Sequence, residues 1–285
     1  MERVVLGYDG SPASEAALEW VAHRARGRRT ELDIVLVTNM FLSDRTVAGT
    51  VLEAAARRWR DLAPDSPANV VRLDGTMPAT LTNAARGAGL LVLGIQAGSR
   101  VRTVLGGWMP LRAALQSGAP TAVIPAGWAA GDDPVAVGLD DDDSSMAAVD
   151  FAAAEAFSAG APLRVIHSWL MGGSQVQGTT ALLPSPQRVA REHARILDAT
   201  VERVRSEFPH LDVRRELVRD NPTSALTRAA ARSRMVVIGS HGRGVISGSL
   251  LGSVGLDLVG VLERPVCIVP RRRPLTREEG LPARS

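Results

Sequence analysis

Apolar and polar positions alternate along this chain in two distinct registers, and the order of the registers predicts its architecture. Short runs, most of them nearly continuously apolar, occur at 4–8, 34–38, 70–73, 90–94 and 121–125, and again at 135–139, 163–167, 213–218, 235–239 and 266–270. Between them lie longer stretches with apolar residues three and four apart, the mark of amphipathic helices. Runs without polar alternation suit strands buried on both faces, and their alternation with helices implies a parallel sheet covered on both sides. The expected class is α/β, a doubly wound, Rossmann-like build in which ligands meet the carboxyl ends of the strands.

The pattern is also written twice. Residues 4–20 (VVLGYDGSPASEAALEW) return as 135–151 (VAVGLDDDDSSMAAVDF), each reading as a strand, an acidic turn and a helix with a Ser cap. Residues 81–94 (LTNAARGAGLLVLG) return as 226–239 (LTRAAARSRMVVIG), and 119–125 (APTAVIP) as 264–270 (RPVCIVP). The chain is two copies of one unit, 1–127 and 133–272, with a tail at 273–285. The offset between copies grows from 131 at Asp9 and Asp140 to 145 at Gly94 and Gly239, so the second copy gains about 14 residues. The polar, glycine-rich stretch 171–180 is the expected place, a loop near the ligand edge. Each terminal run would leave an open sheet edge rich in Val and Ile, a liability unless paired.

Directly after the run 235–239 comes Gly239-Ser-His-Gly242, then nine residues, then Gly252-Ser253. Glycines at such intervals allow close approach and positive φ, so that backbone N–H groups can converge on a phosphate. The Ser253 hydroxyl adds a donor, and a helix beginning after Gly252 would aim its positive end at the same point. In the first copy Ala97 replaces the second glycine and Trp108 the serine. An indole offers one donor and considerable bulk there, although Gly98 can partly substitute by a shift of one residue.

Taken with the repeat, this Gly-x2-Gly-x9-Gly-Ser spacing resembles the nucleotide-binding subgroup of the universal stress proteins in tandem form. The resemblance implies two five-stranded parallel sheets, each of order 3-2-1-4-5. Their terminal strands would pair antiparallel, so that the units pack as an intramolecular pseudo-dimer. It implies an adenine-nucleotide site where strands 1 and 4 diverge. Carried over residue by residue, the site comprises Gly138, Leu139, Asp140, Ser168, Ile238, Gly239, Gly242, Arg243, Gly252, Ser253 and Val254. Arg243 brings a charge able to pair with phosphate. The corresponding first-unit positions are Gly7, Asp9, Asn39, Gly94 and Gly107, beside Tyr8. The implied ligand is ATP, with which Mg²⁺ can arrive, and the implied function is regulation of a stress response, sensed mainly by the second unit. Unidentified protein partners and a homodimer of tandem chains belong to the same reading. The alternative is a slow ATP-hydrolysing or adenylate-transferring enzyme on this fold. Residues 138–144 (GLDDDDS) lack the Ser-Gly-Gly-x-Asp-Ser loop of related adenylating enzymes, and no convincing base or nucleophile stands near the phosphates. His167 reads either as a core histidine or as a base, and Trp128 and Trp169 as core or interface residues.

Composition removes other classes. At 285 residues and 45% hydrophobic, two cores can be filled. All 33 basic side chains are arginine, so neither a Walker A lysine nor a Schiff base can be built. The first strand ends in Asp9 rather than a glycine-rich dinucleotide turn, and zinc-type cysteine pairs, His-Glu-x-x-His and Gly-x-Ser-x-Gly are absent. A net charge of +3, dispersed arginines and 4% aromatics argue against nucleic-acid binding. The single cysteine, Cys267, is expected as a buried thiol. With no apolar run near the ~18 residues that span a bilayer and no signal-peptide pattern at Met1-Glu-Arg, the expected location is cytoplasmic without membrane insertion.

Overall fold

The computed structural model describes residues 1–38, 45–96, 116–140, 142–170, 185–240, 255, 258 and 263–271. In the first unit these form β1 (Glu2–Gly7), α1 (Pro12–Ala25), β2 (Thr30–Thr38), α2 (Arg45–Leu62), β3 (Ala68–Asp74), α3 (Ala79–Ala84), β4 (Leu90–Ile95) and β5 (Thr121–Pro125). The second unit repeats them as β6 (Val135–Leu139), α4 (Asp143–Ser158), β7 (Leu163–Ser168), α5 (Pro186–Glu207), β8 (Val213–Val218), α6 (Pro222–Ala230), β9 (Met235–Gly239) and β10 (Val266–Val269).

All ten strands join in one sheet of order β3-β2-β1-β4-β5-β10-β9-β6-β7-β8. Within each unit the ladders are parallel and the order is 3-2-1-4-5, as expected. The units meet through β5 and β10, which run antiparallel with Ala122 opposite Cys267, Thr121 opposite Ile268 and Val123 opposite Val266. Ala122 and Cys267 hold corresponding positions in the repeat, so a pseudo-twofold axis passes through that pair. Pairing removes both apolar edges and leaves the half-exposed strands β3 and β8 outermost.

Local chemistry starts the helices at the strand ends. Ser11 caps α1 by accepting the Ser14 N–H, with Pro12 at the first helical position, and Ser185 and Asn221 cap α5 and α6 in the same way ahead of Pro186 and Pro222. The cap of α4 is Asp142, from the acidic turn, the repeat counterpart of Ser11. Its Oδ1 accepts the Ser145 N–H at 2.7 Å and the Ser144 hydroxyl at 2.8 Å. A carboxylate satisfies the same orphan donor and suits the positive end of the helix. The extra length of the second unit falls largely between strand 2 and helix 2. That connection covers 39–44 in the first unit and 169–185 in the second, and the helix grows from 18 to 22 residues. The proposed insertion 171–180 itself lies outside the described residues.

One apolar cluster runs through both units, from Val4 and Leu18 to Val135, Val149 and Cys267. Over the seam, Arg24 of α1 donates from Nε and Nη2 to both carboxylate oxygens of Glu155 of α4, at 2.9 and 2.6 Å, and from Nη1 and Nη2 to Glu2, at 2.7 and 3.0 Å. Arg28 adds a 2.7 Å bond to Glu155. The Arg24 and Glu155 side chains are only 7% and 8% exposed. Burial works against both charges, and each nevertheless holds its charge more firmly than in water, because the opposite partner lies in bidentate contact. Arg24 and Glu155 are also corresponding residues, 131 positions apart like Asp9 and Asp140. Cys267 beneath them is fully buried, and burial, followed by the Glu155 charge, pushes its thiol pKa well up. Among the described residues no helix is long and apolar enough to cross a membrane.

Candidate functional site

The carboxyl edge of the second unit is assembled by strand register. β6 and β9 are parallel neighbours with Val137 opposite Val237, so Gly138 and Leu139 close one strand beside Ile238 and Gly239 closing the other. β7 lies on the far side of β6 with Leu139 opposite His167, which brings Ser168 to the same edge. Asp140 follows β6 and is half-buried, and α4 begins immediately after. Six sequence-predicted residues, Gly138, Leu139, Asp140, Ser168, Ile238 and Gly239, therefore share one edge. Gly242, Arg243, Gly252, Ser253 and Val254 lie outside the described residues, as do Asn39, Gly107, Ala97 and Trp108 of the first unit.

The glycines at this edge have a packing role in both units. A Cβ on Gly239 would stand 2.5 Å from Ser144 Oγ and 2.8 Å from the Ser144 carbonyl carbon; on Gly94 it would stand 2.1 Å from the Ala13 carbonyl oxygen. In each unit the helix after strand 1 seats its first turn on the end of strand 4, and only glycine leaves room. Gly138 and Gly7 are packed likewise, their absent side chains facing Leu226 at 3.0 Å and Leu93 at 2.7 Å. The strand 1 ends are tied to the helices too: the Asp140 N–H donates to Ser145 Oγ at 2.6 Å, and the Asp9 N–H to Ser14 Oγ at 3.4 Å.

In the first unit the polar groups at this edge are held within the unit. The Asp9 carboxylate accepts the Ser11 N–H at 3.0 Å. Burial raises its pKa, but hydrogen bonds from Ser11, Ser14 and the backbone outweigh that and hold it below the ordinary carboxylate value. Tyr8, which corresponds to Leu139, donates its hydroxyl to the Glu15 carboxylate, and burial together with that bond pushes its pKa well up.

Beside the second-unit edge stands a histidine pair that sequence reading only half found. His167 is 2% exposed; its Nδ1 donates to the Leu139 carbonyl at 2.7 Å, and its Nε2 lies 2.8 Å from Nδ1 of His193 on α5. A carbonyl can only accept, so Nδ1 of His167 carries a proton, and its Nε2 shares the second hydrogen bond with His193 Nδ1. Both nitrogens are committed, which makes His167 a core residue fixing the end of β6. His193 stacks on Trp169 at 5.5 Å, with the Arg219 guanidinium 5.6 Å from the centre of the indole. The overlooked signal was helical phase: His193 lies one turn before Leu197 on the stripe that continues through Thr200, Val201 and Val204. Among the described residues no group of three or more His, Cys, Asp or Glu is placed to hold a metal ion.

Comparison with known proteins agrees with this architecture. The profile described as the Universal stress protein family matches residues 1–124 and again 133–270. Universal stress protein Rv1996 of Mycobacterium tuberculosis is 27% identical over 297 residues, covering 93% of this chain and 94% of that protein. Universal stress protein Rv2005c of the same species is 28% identical over 288 residues, covering 93% and 96%. Among solved structures, a universal stress protein from Archaeoglobus fulgidus superposes with a TM-score of 0.73 at 19% identity, over 95% of this chain and 98% of that one. With the family profile matching twice, once on each of two copies of one fold, the chain belongs to the universal stress protein family.

Proposed function

We propose that this chain is an ATP-binding regulatory protein of the stress response whose nucleotide occupies the second unit. The observation that carries the reading is the intact Gly239, Gly242, Gly252 and Ser253 spacing after β9, against Ala97 and Trp108 at the matching places after β4. Family membership supports it. The described edge suits the adenosine half: Gly138, Leu139 and Ser168 line it, and the half-buried Asp140 carboxylate can accept from ribose hydroxyls or an exocyclic amine. The phosphates fall to the backbone N–H groups around Gly242 and Gly252, the Ser253 hydroxyl and the Arg243 charge, with Mg²⁺ arriving on the nucleotide. In this reading the protein acts in the cytoplasm, two tandem chains associate, and occupancy of the second unit is passed to protein partners through the shared sheet.

Titration calorimetry with ATP tests the assignment. About one tight site per chain is expected, lost in Gly252→Val because a branched side chain blocks close phosphate approach. Tight binding that survives this substitution removes the second unit as the site, and ADP released during the titration would mark the protein as a hydrolase.

A further inference from the structure

A second concavity lies at the amino ends of β6 and β9, a strand's length from the edge proposed for nucleotide. It encloses about 250 Å³ between the carboxyl end of α1, the connector that follows β5 and the last turn of α4. That volume is just below the ~300–1,000 Å³ of drug-sized ligand pockets, and so suits a smaller molecule.

Its lining is both cationic and aromatic. Four arginines, Arg24, Arg26, Arg28 and Arg234, face two carboxylates, Asp132 and Glu155. Arg24 and Arg28 are neutralised by Glu155 and Glu2 in the seam. Arg26 and Arg234 have no carboxylate within ion-pair distance among the described residues. His23, between them, registers the imbalance. Burial first, then the charges of Arg234 and Arg26, hold its pKa below the ordinary imidazole value against the weaker opposing pull of Asp132. The neutral imidazole meets the Trp128 indole edge-on, at 5.8 Å and 68°, and Trp20 completes an aromatic wall.

We infer that this cavity binds a small anion carrying a planar ring, its carboxylate or phosphate meeting Arg26 and Arg234 and its ring lying against Trp128 and Trp20. Guanidinium groups with no carboxylate partner among the described residues match such oxygens in geometry and charge, and two indoles with a neutral imidazole match the ring. The connector that supplies Trp128 and Asp132 is what joins the two units, so the site is a property of the tandem chain rather than of either copy.

The test uses the full-length, ¹⁵N-labelled protein and follows the indole N–H signals of Trp20 and Trp128 during titration with phenyl phosphate, benzoate and inorganic phosphate. Saturable shifts are expected for at least one of the ring-bearing probes, and the preference between them tells phosphate from carboxylate. Inorganic phosphate should bind more weakly by about tenfold, and Arg26→Ala/Arg234→Ala should weaken the preferred probe by about tenfold or more, the scale of charged hydrogen bonds. Arg26→Glu is a second variant at an exposed position, where loss of folding does not confound the reading; it should show the same loss. Gly252→Val should leave probe binding unchanged, which separates this site from the nucleotide reading. Absence of saturation up to millimolar probe, or affinity unchanged in folded Arg26→Glu, overturns the inference.

Discussion

The two units share one scaffold and differ in what stands at its ligand edge. Gly94 and Gly239 both lie under the first turn of the following helix, and Ser14 and Ser145 both accept the N–H that closes strand 1. These features persist in the unit whose phosphate motif is broken by Ala97 and Trp108. They are therefore conditions of the fold, and in the proposed reading it falls to Gly242, Gly252 and Ser253 to distinguish binding from scaffold. The polar groups point the same way: Tyr8 and Asp9 are engaged by Glu15 and Ser11 in the first unit, whereas Leu139 has no hydroxyl to engage.

The largest break in the comparison should come on the axis where the units meet. Arg24→Glu sets a third carboxylate beside Glu155 and Glu2, with Arg28 as the remaining nearby cation, and should destabilise the chain by about 4 kcal/mol, the scale of breaking a buried ion pair. The exchanged double variant, Arg24→Glu/Glu155→Arg, should recover most of that loss in urea unfolding. Absence of recovery would show that the pair is incidental. Next in size is the strand 4 glycine. Gly94→Ala should cost about 3 kcal/mol and Gly239→Ala about 2 kcal/mol, because the former meets fixed backbone at 2.1 Å and the latter first meets a hydroxyl at 2.5 Å. The reverse order would mean that the first unit is the more yielding of the two.

Smaller effects separate the two aspartates. Asp140→Ala should weaken ATP binding by about 1–3 kcal/mol with Asp9→Ala near neutral, by the same calorimetry. A larger effect at Asp9 would move the nucleotide to the first unit. The smallest effect is a pH dependence. The folded pKa of Asp9 lies below its ordinary value of 3.8, so its ionised form contributes stability that is complete above that value and is lost as pH falls through the folded pKa. The thermal midpoint of the parent chain should exceed that of Asp9→Asn at pH 6, and the gap should close as pH falls below 3.8 and through the folded pKa. A gap that widens in acid would contradict the hydrogen bonding seen at Ser11.

Most of the architecture was legible because apolar runs and turn residues repeat with a fixed offset, and repetition makes each element check the other. Pairing of β5 with β10 followed from two Val- and Ile-rich edges that had to be covered, together with the family resemblance. The cap of α4 was legible only to within the run of acids and serines at 141–145, and only hydrogen-bond distances show which side chain reaches the orphan N–H. The site was less legible than the fold. A glycine in sequence looks the same whether a phosphate or a helix approaches it, and Gly239 turned out to have a helix against it. Arg24 and Glu155 escaped notice because charges 131 residues apart form no local pattern, even though that separation is the repeat offset itself.

The Arg24–Glu155 pair also bears on how the chain chooses its partner. In a homodimer of first units this position would set arginine against arginine, and in one of second units glutamate against glutamate, so like halves reject each other. The charges cannot, however, tell a chain's own second half from that of another chain. Only the connector 126–134 makes that distinction, by holding the two halves at high effective concentration. Shortening it until β5 and β10 can no longer meet within one molecule should leave every contact of the seam intact and convert the intramolecular pseudo-dimer into a domain-swapped pair of chains.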